Sequence, residues 1–450
     1  MTPATQSATP SSLDYSRGKQ LANQVFLDAM AALDLRSAML AKLKRDGELL
    51  KAGEISVSLK RPPRVVAFGK AANRMAVVLD EILDGRVEAG VCVSPGEPAK
   101  KLDRFHYFLG GHPYPQAGSL EGARAALELA SNPTPEDLVI FLVSGGGSAI
   151  FEQPFDSDVS LSDLSEFNRE LVTCGLPIEQ INVLRKHISA VKGGRLAVRA
   201  YAAHQLTIYI SDVPEQLSSM VASGPTLPDE STVEQAYALA EQNGLVFRFP
   251  ASIRKRFLDH TLEETPKPGD ERFKNSHYFC LLSNRDAVEA ARAAAEKLGF
   301  VCEIDSNPWD ADYRKVAQSN LVALKALADT HKGRPVCSIA GGEVTCRVTG
   351  PGVGGRNQAY VLYAAQSIAG QYRGVLSAGT DGRDGNSPTS GAVADGQTVS
   401  RAHVRRMDPA GYLADSDSYS FFRTLGDTVD IGYMDNNLRD VRVWLDFGNL

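Results

Sequence analysis

The sequence predicts an α/β protein in two lobes, each built on a sheet covered by helices. Three observations carry that expectation. The chain has 450 residues, too many for one ordinary compact domain. Hydrophobic residues make up 43% of it and charged residues 23%, enough apolar surface for a large core, which excludes collagen, coiled coil and wholesale disorder. Short, near-continuous apolar runs such as Leu138–Val143 alternate with amphipathic stretches. Strands buried on both faces and separated by helices imply a parallel sheet.

Taken in order, residues 1–18 read as a disordered tail, rich in Ser, Thr, Pro and Ala at its start and without the basic start and apolar core of a secretory signal. Gln20–Leu49 has a helical pattern, with Leu21, Val25, Ala29 and Leu33 on one face. Pro62 and Pro63 break the chain before an apolar strand, Val65–Phe68. Further strands are expected at Gly90–Val93, Leu138–Val143 and Leu206–Ile210, and helices at Ala71–Leu83, Ser119–Ala130 and Leu161–Cys174. The periodic pattern lapses over Pro250–Asn275, so one α/β domain is expected over 19–255 and a second over 276–450. The second series comprises strands Tyr278–Leu282, Val336–Ile339, Val344–Val348 and Val375–Ala378, with a closing strand near Val441–Leu445. Its helices are Arg285–Leu298, Trp309–Ala328 and Asn357–Ile368.

Charge and composition exclude several functions. A net charge of −6 leaves no basic excess for a nucleic-acid backbone, so any bound anion must be held by local groups. No apolar run reaches the roughly 18 residues of a membrane span. Six scattered cysteines without a Cys-x-x-Cys pair read as reduced residues of a cytoplasmic protein, and the scattered histidines give a structural zinc site little support.

Glycine-rich turns placed directly after predicted strands carry the chemistry, because open α/β sheets bind ligands there. In Phe68-Gly69-Lys70-Ala71 a lysine stands at a helix start, where backbone N–H groups also favour an anion; an exposed lysine is the plain alternative. Ser144-Gly145-Gly146-Gly147-Ser148 follows a buried strand, and its three glycines point to backbone approaching a phosphate or carboxylate. A basic cluster includes Arg185 and Lys192, read as facing substrate or lying on an exposed helix face. Asp212 ends a strand, well placed for a metal or hydroxyl, or simply as a cap. In the second lobe Gly341-Gly342-Glu343 follows a strand and Arg356 opens a helix after two glycines, a position that disfavours a cation unless an anion shares it. Asp381 and Asp384 lie in another glycine-rich turn. Cations, backbone amides and carboxylates are the inventory of phosphoryl transfer, and there is no nucleophile elbow.

These segments, with Gly111-His112-Pro113, Arg185-Lys186-His187, Lys192-Gly193-Gly194 and Ala222–Thr226, occur in one order along nearly the whole chain. In that order the sequence resembles the class II glycerate kinases, D-glycerate 2-kinases with a Rossmann-like N-terminal domain and a C-terminal domain containing a MOFRL region, here at about 335–450. The resemblance implies ATP- and Mg²⁺-dependent phosphorylation of the 2-hydroxyl of D-glycerate in an interdomain cleft. It implies Lys70 and Arg356 as catalytic residues, with Ser144–Ser148, Arg185 and Lys192 on substrate or phosphate. Asp212, Glu343, Asp381 and Asp384 are candidates for the nucleotide and metal side, Asp212 and Asp381 for the metal itself. The implied partners are a small hydroxy acid and ATP, with neither nucleic acid nor membrane; a homodimer is compatible with it. Three segments depart from the family pattern: Glu215-Gln216-Leu217, Asn386–Ser390 and Gly432–Asn437. They keep open a kinase for a related sugar acid such as a tetronate, and a binding paralogue without catalysis. Hydroxypyruvate reductase is a further alternative, weakened by the absence of Gly-x-Gly-x-x-Gly after a strand.

Overall fold

The computed structural model describes residues 16–213, 220–307 and 309–447. Most of the expected polar tail and the departure at Glu215–Leu217 lie outside the described residues. The chain divides into two compact units. The N-terminal unit comprises Leu33–Asn284 and Asp435–Leu438. The C-terminal unit takes helix Ser16–Ala32, Arg285–Met434 and the segment from Arg439 onward. The first helix, expected with the N-terminal domain, thus belongs to the second unit, and the boundary expected at 255–276 falls after Asn284.

The N-terminal unit begins with a small antiparallel sheet of β1 (Leu43–Asp46), β2 (Leu49–Ala52) and β3 (Ile55–Ser58). This replaces the long helix expected over Gln20–Leu49. Helices Ser16–Ala32 and Leu35–Lys42 take the first part, and an Asp46-Gly47 turn, with Gly47 at φ 59°, reverses the chain. The main sheet comprises β4 (Arg64–Phe68), β5 (Ala89–Ser94), β6 (Phe105–Leu109), β7 (Leu138–Val143), β8 (His204–Ile210) and β9 (Ser276–Leu282). Its order is β6-β5-β4-β7-β8-β9 and every pairing is parallel. This is the doubly wound arrangement, whose order reverses between β4 and β7. The central strands are apolar throughout because helices cover both faces: Val66, Phe68, Val139 and Phe141 are fully buried. Phe68 stacks on Phe151 with ring centroids 4.3 Å apart, a contact of about 1 kcal/mol beyond its burial.

The C-terminal unit holds a mixed sheet of β10 (Val301–Asp305), β11 (Val336–Ala340), β12 (Arg373–Gly379), β13 (Gly391–Asp395), β14 (Thr428–Val429) and β15 (Asp440–Asp446). The order is β10-β11-β15-β12-β13-β14, parallel at β10–β11 and antiparallel elsewhere. The closing strand lies between β11 and β12. No strand forms at Val344–Val348, where one isolated bridge joins Thr345 to Asp312. Both sides of the adjacent β11 are taken by β10 and β15, so a strand there could not pair with β11. Helix Ser16–Ala32 lays Ala22, Val25, Phe26 and Ala29 over β12, β13 and β15. Gly18 sits so close that a Cβ would meet the Arg373 carbonyl at 3.0 Å. No described helix is long and apolar enough to cross a membrane. All six cysteines are free, and burial pushes the Cys92 thiol up to about 12.

Candidate active site

In the N-terminal unit the turns after β4 and β7 lie side by side, at the reversal of strand order. Backbone hydrogen bonds lace them together. Lys70 N–H donates to Gly145 O at 3.0 Å, Ser144 N–H to Phe68 O at 3.1 Å, and Ala71 N–H to Ser144 Oγ at 3.0 Å. Gly69 has φ 110°, and a Cβ there would fall 2.4 Å from both Ser144 O and Oγ. Only glycine permits this approach. Gly146, at φ 80°, lies between Lys70 and His112; a Cβ on it would be 3.3 Å from Lys70 Cγ and 3.0 Å from the His112 ring. Asp212 reaches the same loop from the end of β8, with Oδ2 2.7 Å from where a Gly145 Cβ would stand. Ser148 Oγ lies 2.8 Å from Ser223 Oγ, which donates to Asn182 Oδ1 at 3.0 Å.

Lys70, Ser144, Gly145, Gly146, Gly147, Ser148 and Asp212 therefore form one cluster. The backbone N–H groups of Gly145, Gly146, Gly147 and Ser148 have no acceptor among the described residues. An anion seated there would receive them along with the Lys70 charge. Sequence reasoning gave His112 no role, although Gly111-His112-Pro113 marks its turn. Burial, and then the Lys70 charge, hold its imidazole below the usual range, so it is neutral at pH 7.

The basic cluster is mostly spent inside the protein. Lys192 is fully buried and paired with Glu152, which also accepts from Ser189 Oγ at 2.5 Å. Burial lowers its pKa and the Glu152 charge opposes that shift. The expectation that Lys192 faces substrate is corrected: a cation this deep is stable only with its own counter-ion. Lys186 pairs with Asp229 at 2.8 Å, and Arg195 donates to backbone carbonyls of Lys186 and Ser189 at 2.6 and 3.0 Å. Gly193 packs on Thr265, not towards an open cleft. Arg185 differs: 9% exposed, it donates through Nε to Asn168 Oδ1 at 3.1 Å and makes no ion pair among the described residues. Its remaining donors suit a carboxylate.

In the C-terminal unit Arg356 opens helix Arg356–Ser367 and grips Asp440 with a two-pronged contact, Nε and Nη2 each 2.8 Å from a carboxylate oxygen. Glu343 approaches Nη1 at 3.3 Å and also faces Arg439 at 3.6 Å. The anion expected beside Arg356 is thus the protein's own. Burial raises the Glu343 carboxyl, and the two arginines oppose the shift. Asp440, fully buried, was not singled out in the sequence, where it looked like an ordinary strand start.

Asp384 is likewise fully buried. It accepts from the backbone N–H groups of Asn357 and Gln358 at 3.0 and 2.8 Å and from Asn357 Nδ2 at 3.3 Å. It caps the Arg356 helix where a metal or nucleotide ligand was expected: fully buried, it spends three of about four lone-pair sites on that helix. Burial pushes it up to about 7 despite the helix amides. Asp381 accepts from Arg383 N–H at 3.1 Å within its own turn. Among the described residues no group of three or more His, Cys, Asp or Glu is placed to hold a metal. Mg²⁺ that relies on substrate phosphates needs one or two carboxylates, and Asp212 beside the glycine loop fits that role.

Of the departing segments, Asn386 accepts from Gly354 N–H at 2.8 Å, and Ser387 and Thr389 receive Gln358 Nε2 at 3.1 and 2.8 Å, so hydroxyls brace the helix start. Tyr433, in the third departing segment, is 59% exposed.

Comparison with known proteins agrees with this architecture. Residues 21–258 match the model of a domain of unknown function, DUF4147, and residues 336–440 match that of the MOFRL family. The chain is 34% identical to a D-glycerate 2-kinase from Thermotoga maritima over 386 residues, 85% of this chain and 90% of that one. A relative from Agrobacterium vitis, 32% identical over 389 residues, covering 85% of this chain and 86% of its own, is provisionally named a hydroxypyruvate reductase. The crystal structure of a Thermotoga maritima glycerate kinase superposes with a TM-score of 0.82 at 32% identity, over 95% of this chain and 99% of that one. Shared sequence along the whole chain, both family models and the matching two-sheet structure make the chain a member of the class II glycerate kinase (MOFRL) family.

Proposed function

We propose that the protein transfers the terminal phosphoryl group of ATP to the 2-hydroxyl of D-glycerate, giving 2-phosphoglycerate. The observation that carries this is the turn pair at the strand-order reversal: Lys70 beside four loop amides with no acceptor among the described residues, in a chain 34% identical to a D-glycerate 2-kinase. Phosphoryl transfer needs fixed positive groups on the equatorial oxygens more than covalent chemistry, and Lys70 with the Gly145–Ser148 amides supplies them without reorganisation. Arg185, with donors unspent, suits the acceptor's carboxylate. Arg356, locked in place by Asp440, contributes a second fixed cation. The role proposed for both Lys70 and Arg356 is charge stabilisation on the transferring group. Asp212 would hold Mg²⁺, which when bound neutralises charge on the phosphates.

The test is ADP release with ATP and Mg²⁺ on D-glycerate, L-glycerate and tetronates, with the product identified by NMR. Turnover on D-glycerate giving the 2-phosphate is expected. Turnover confined to tetronates would replace the acceptor, and nucleotide binding without turnover on any acid would replace the reaction. The Agrobacterium vitis name keeps one second reading alive, and NADH oxidation by hydroxypyruvate would establish it.

A further inference from the structure

The C-terminal unit contains a cavity of about 320 Å³ beside the start of the Arg356 helix, of a size that encloses a small ligand. Val348, Tyr412, Leu413 and Ala359 contribute apolar lining, and Arg314, Arg347 and Arg356 contribute cationic lining. None of the lining residues is acidic. Glycines fix its wall: a Cβ at Gly352 would lie 2.4 Å from Asp417 Cβ, and one at Gly354 would lie 2.3 Å from Ser418 Oγ.

These features select a ligand class. Apolar lining that includes the Tyr412 ring wastes its surface on a small hydroxy acid or on inorganic phosphate, but it suits a heteroaromatic base. The arginines require that the same molecule carry negative charge. Arg356 is already paired by Asp440 and Glu343, whereas exposed Arg347 makes no ion pair among the described residues. Arg314 lies over the Tyr313 ring at 4.4 Å, with Asp312 3.5 Å away. The amides of Asn357 and Gln358 are occupied by Asp384, so phosphates must be met by arginine side chains and not by the helix end. We infer that this cavity binds a purine nucleoside phosphate, the donor class of the reaction proposed above, on which this inference rests, with base and ribose on the apolar lining and Arg347 and Arg314 on its phosphates.

The test uses the full chain and 2′/3′-O-(N-methylanthraniloyl)-ADP fluorescence, with Arg347→Glu and Val348→Asp as variants. Val348 is 77% exposed and Arg347 is exposed and unpaired, so neither change threatens folding, and a thermal melt checks this. Each variant should weaken binding of the fluorescent ADP about tenfold and raise KM for ATP to match, while KM for D-glycerate moves less than about twofold. Adenosine should displace the probe, whereas pyrophosphate alone should displace it poorly. Wild-type affinity in both variants, no binding to the wild type, or displacement by pyrophosphate but not adenosine would each overturn the inference. The two readings fail differently. Probe binding lost in the variants without glycerate phosphorylation removes the proposed reaction and keeps the site; phosphorylation with unchanged KM for ATP in both variants does the reverse.

Discussion

Lys70 and Arg356 are both cations at helix starts, yet their surroundings set different experimental signatures. Lys70 hydrogen-bonds through its backbone N–H and has no ion pair among the described residues, so Lys70→Ala should leave the fold intact. We expect kcat/KM to fall by about 10²–10³ with a stability change below about 1 kcal/mol, as for loss of one fixed charge on a transition state. A rate within threefold of wild type would remove Lys70 from the mechanism. For Arg356 the proposed catalytic charge comes with a structural role. Its removal leaves fully buried Asp440 without its two-pronged partner, so Arg356→Ala should lose activity and also about 3 kcal/mol of stability. Arg356→Lys restores the charge without the fork and should recover part of the stability but little of the activity. Denaturant unfolding beside steady-state kinetics separates the two. The sequence marked both residues through a local signal, a glycine turn between strand and helix. It could not mark Asp440 or the capping role of Asp384, because which carboxylate answers Arg356 is decided by a strand 84 residues away.

At the level of elements, runs buried on both sides were legible because their composition is uniform: Leu138–Val143 was expected and is β7. β6 escaped notice because, at the sheet edge, only Phe105 of its residues is buried. Val344–Val348 misled for the opposite reason, since its alternation fits a strand, but the preceding strand β11 is already paired on both sides. The connection around Glu264 is heavily braced by polar groups. Burial alone would raise that carboxyl, but Lys267 at 2.5 Å, the Val233 and Thr265 N–H groups at 3.1 and 2.8 Å, and His187 outweigh it and hold it at about 2, below its ordinary 4.5. A carboxyl depressed on folding stabilises above its unfolded value and loses that contribution as it protonates. The melting temperature of the wild type should therefore fall between about pH 4.5 and about pH 2 more steeply than that of Glu264→Gln. Parallel acid limbs would show that these contacts contribute nothing. Glu264 is 41% exposed, so the difference will be modest and will shrink in high salt.

Across the whole molecule, chain order and compact units do not coincide. The opening helix, Ser16–Ala32, belongs to the C-terminal unit, where Val25 and Phe26 are fully buried and Lys19 pairs with Asp427 at 2.8 Å. Removing residues 1–32 should cost that unit on the order of 5 kcal/mol of apolar burial. Calorimetry should then show the C-terminal unit melting earlier while the transition of the N-terminal unit stays in place; an unchanged single transition would mean the helix is dispensable. The same connectivity imposes an order on synthesis. The helix leaves the ribosome first, but β12, the first of the strands it covers, is about 340 residues further on. At ordinary elongation rates its apolar face waits roughly 20–70 s for a surface to bury it. The intervening unit, Leu33–Asn284, can complete its own sheet in that interval. The nascent chain thus carries an exposed amphipathic helix through most of its translation, which makes that helix the natural point for a chaperone to hold and for premature association to begin.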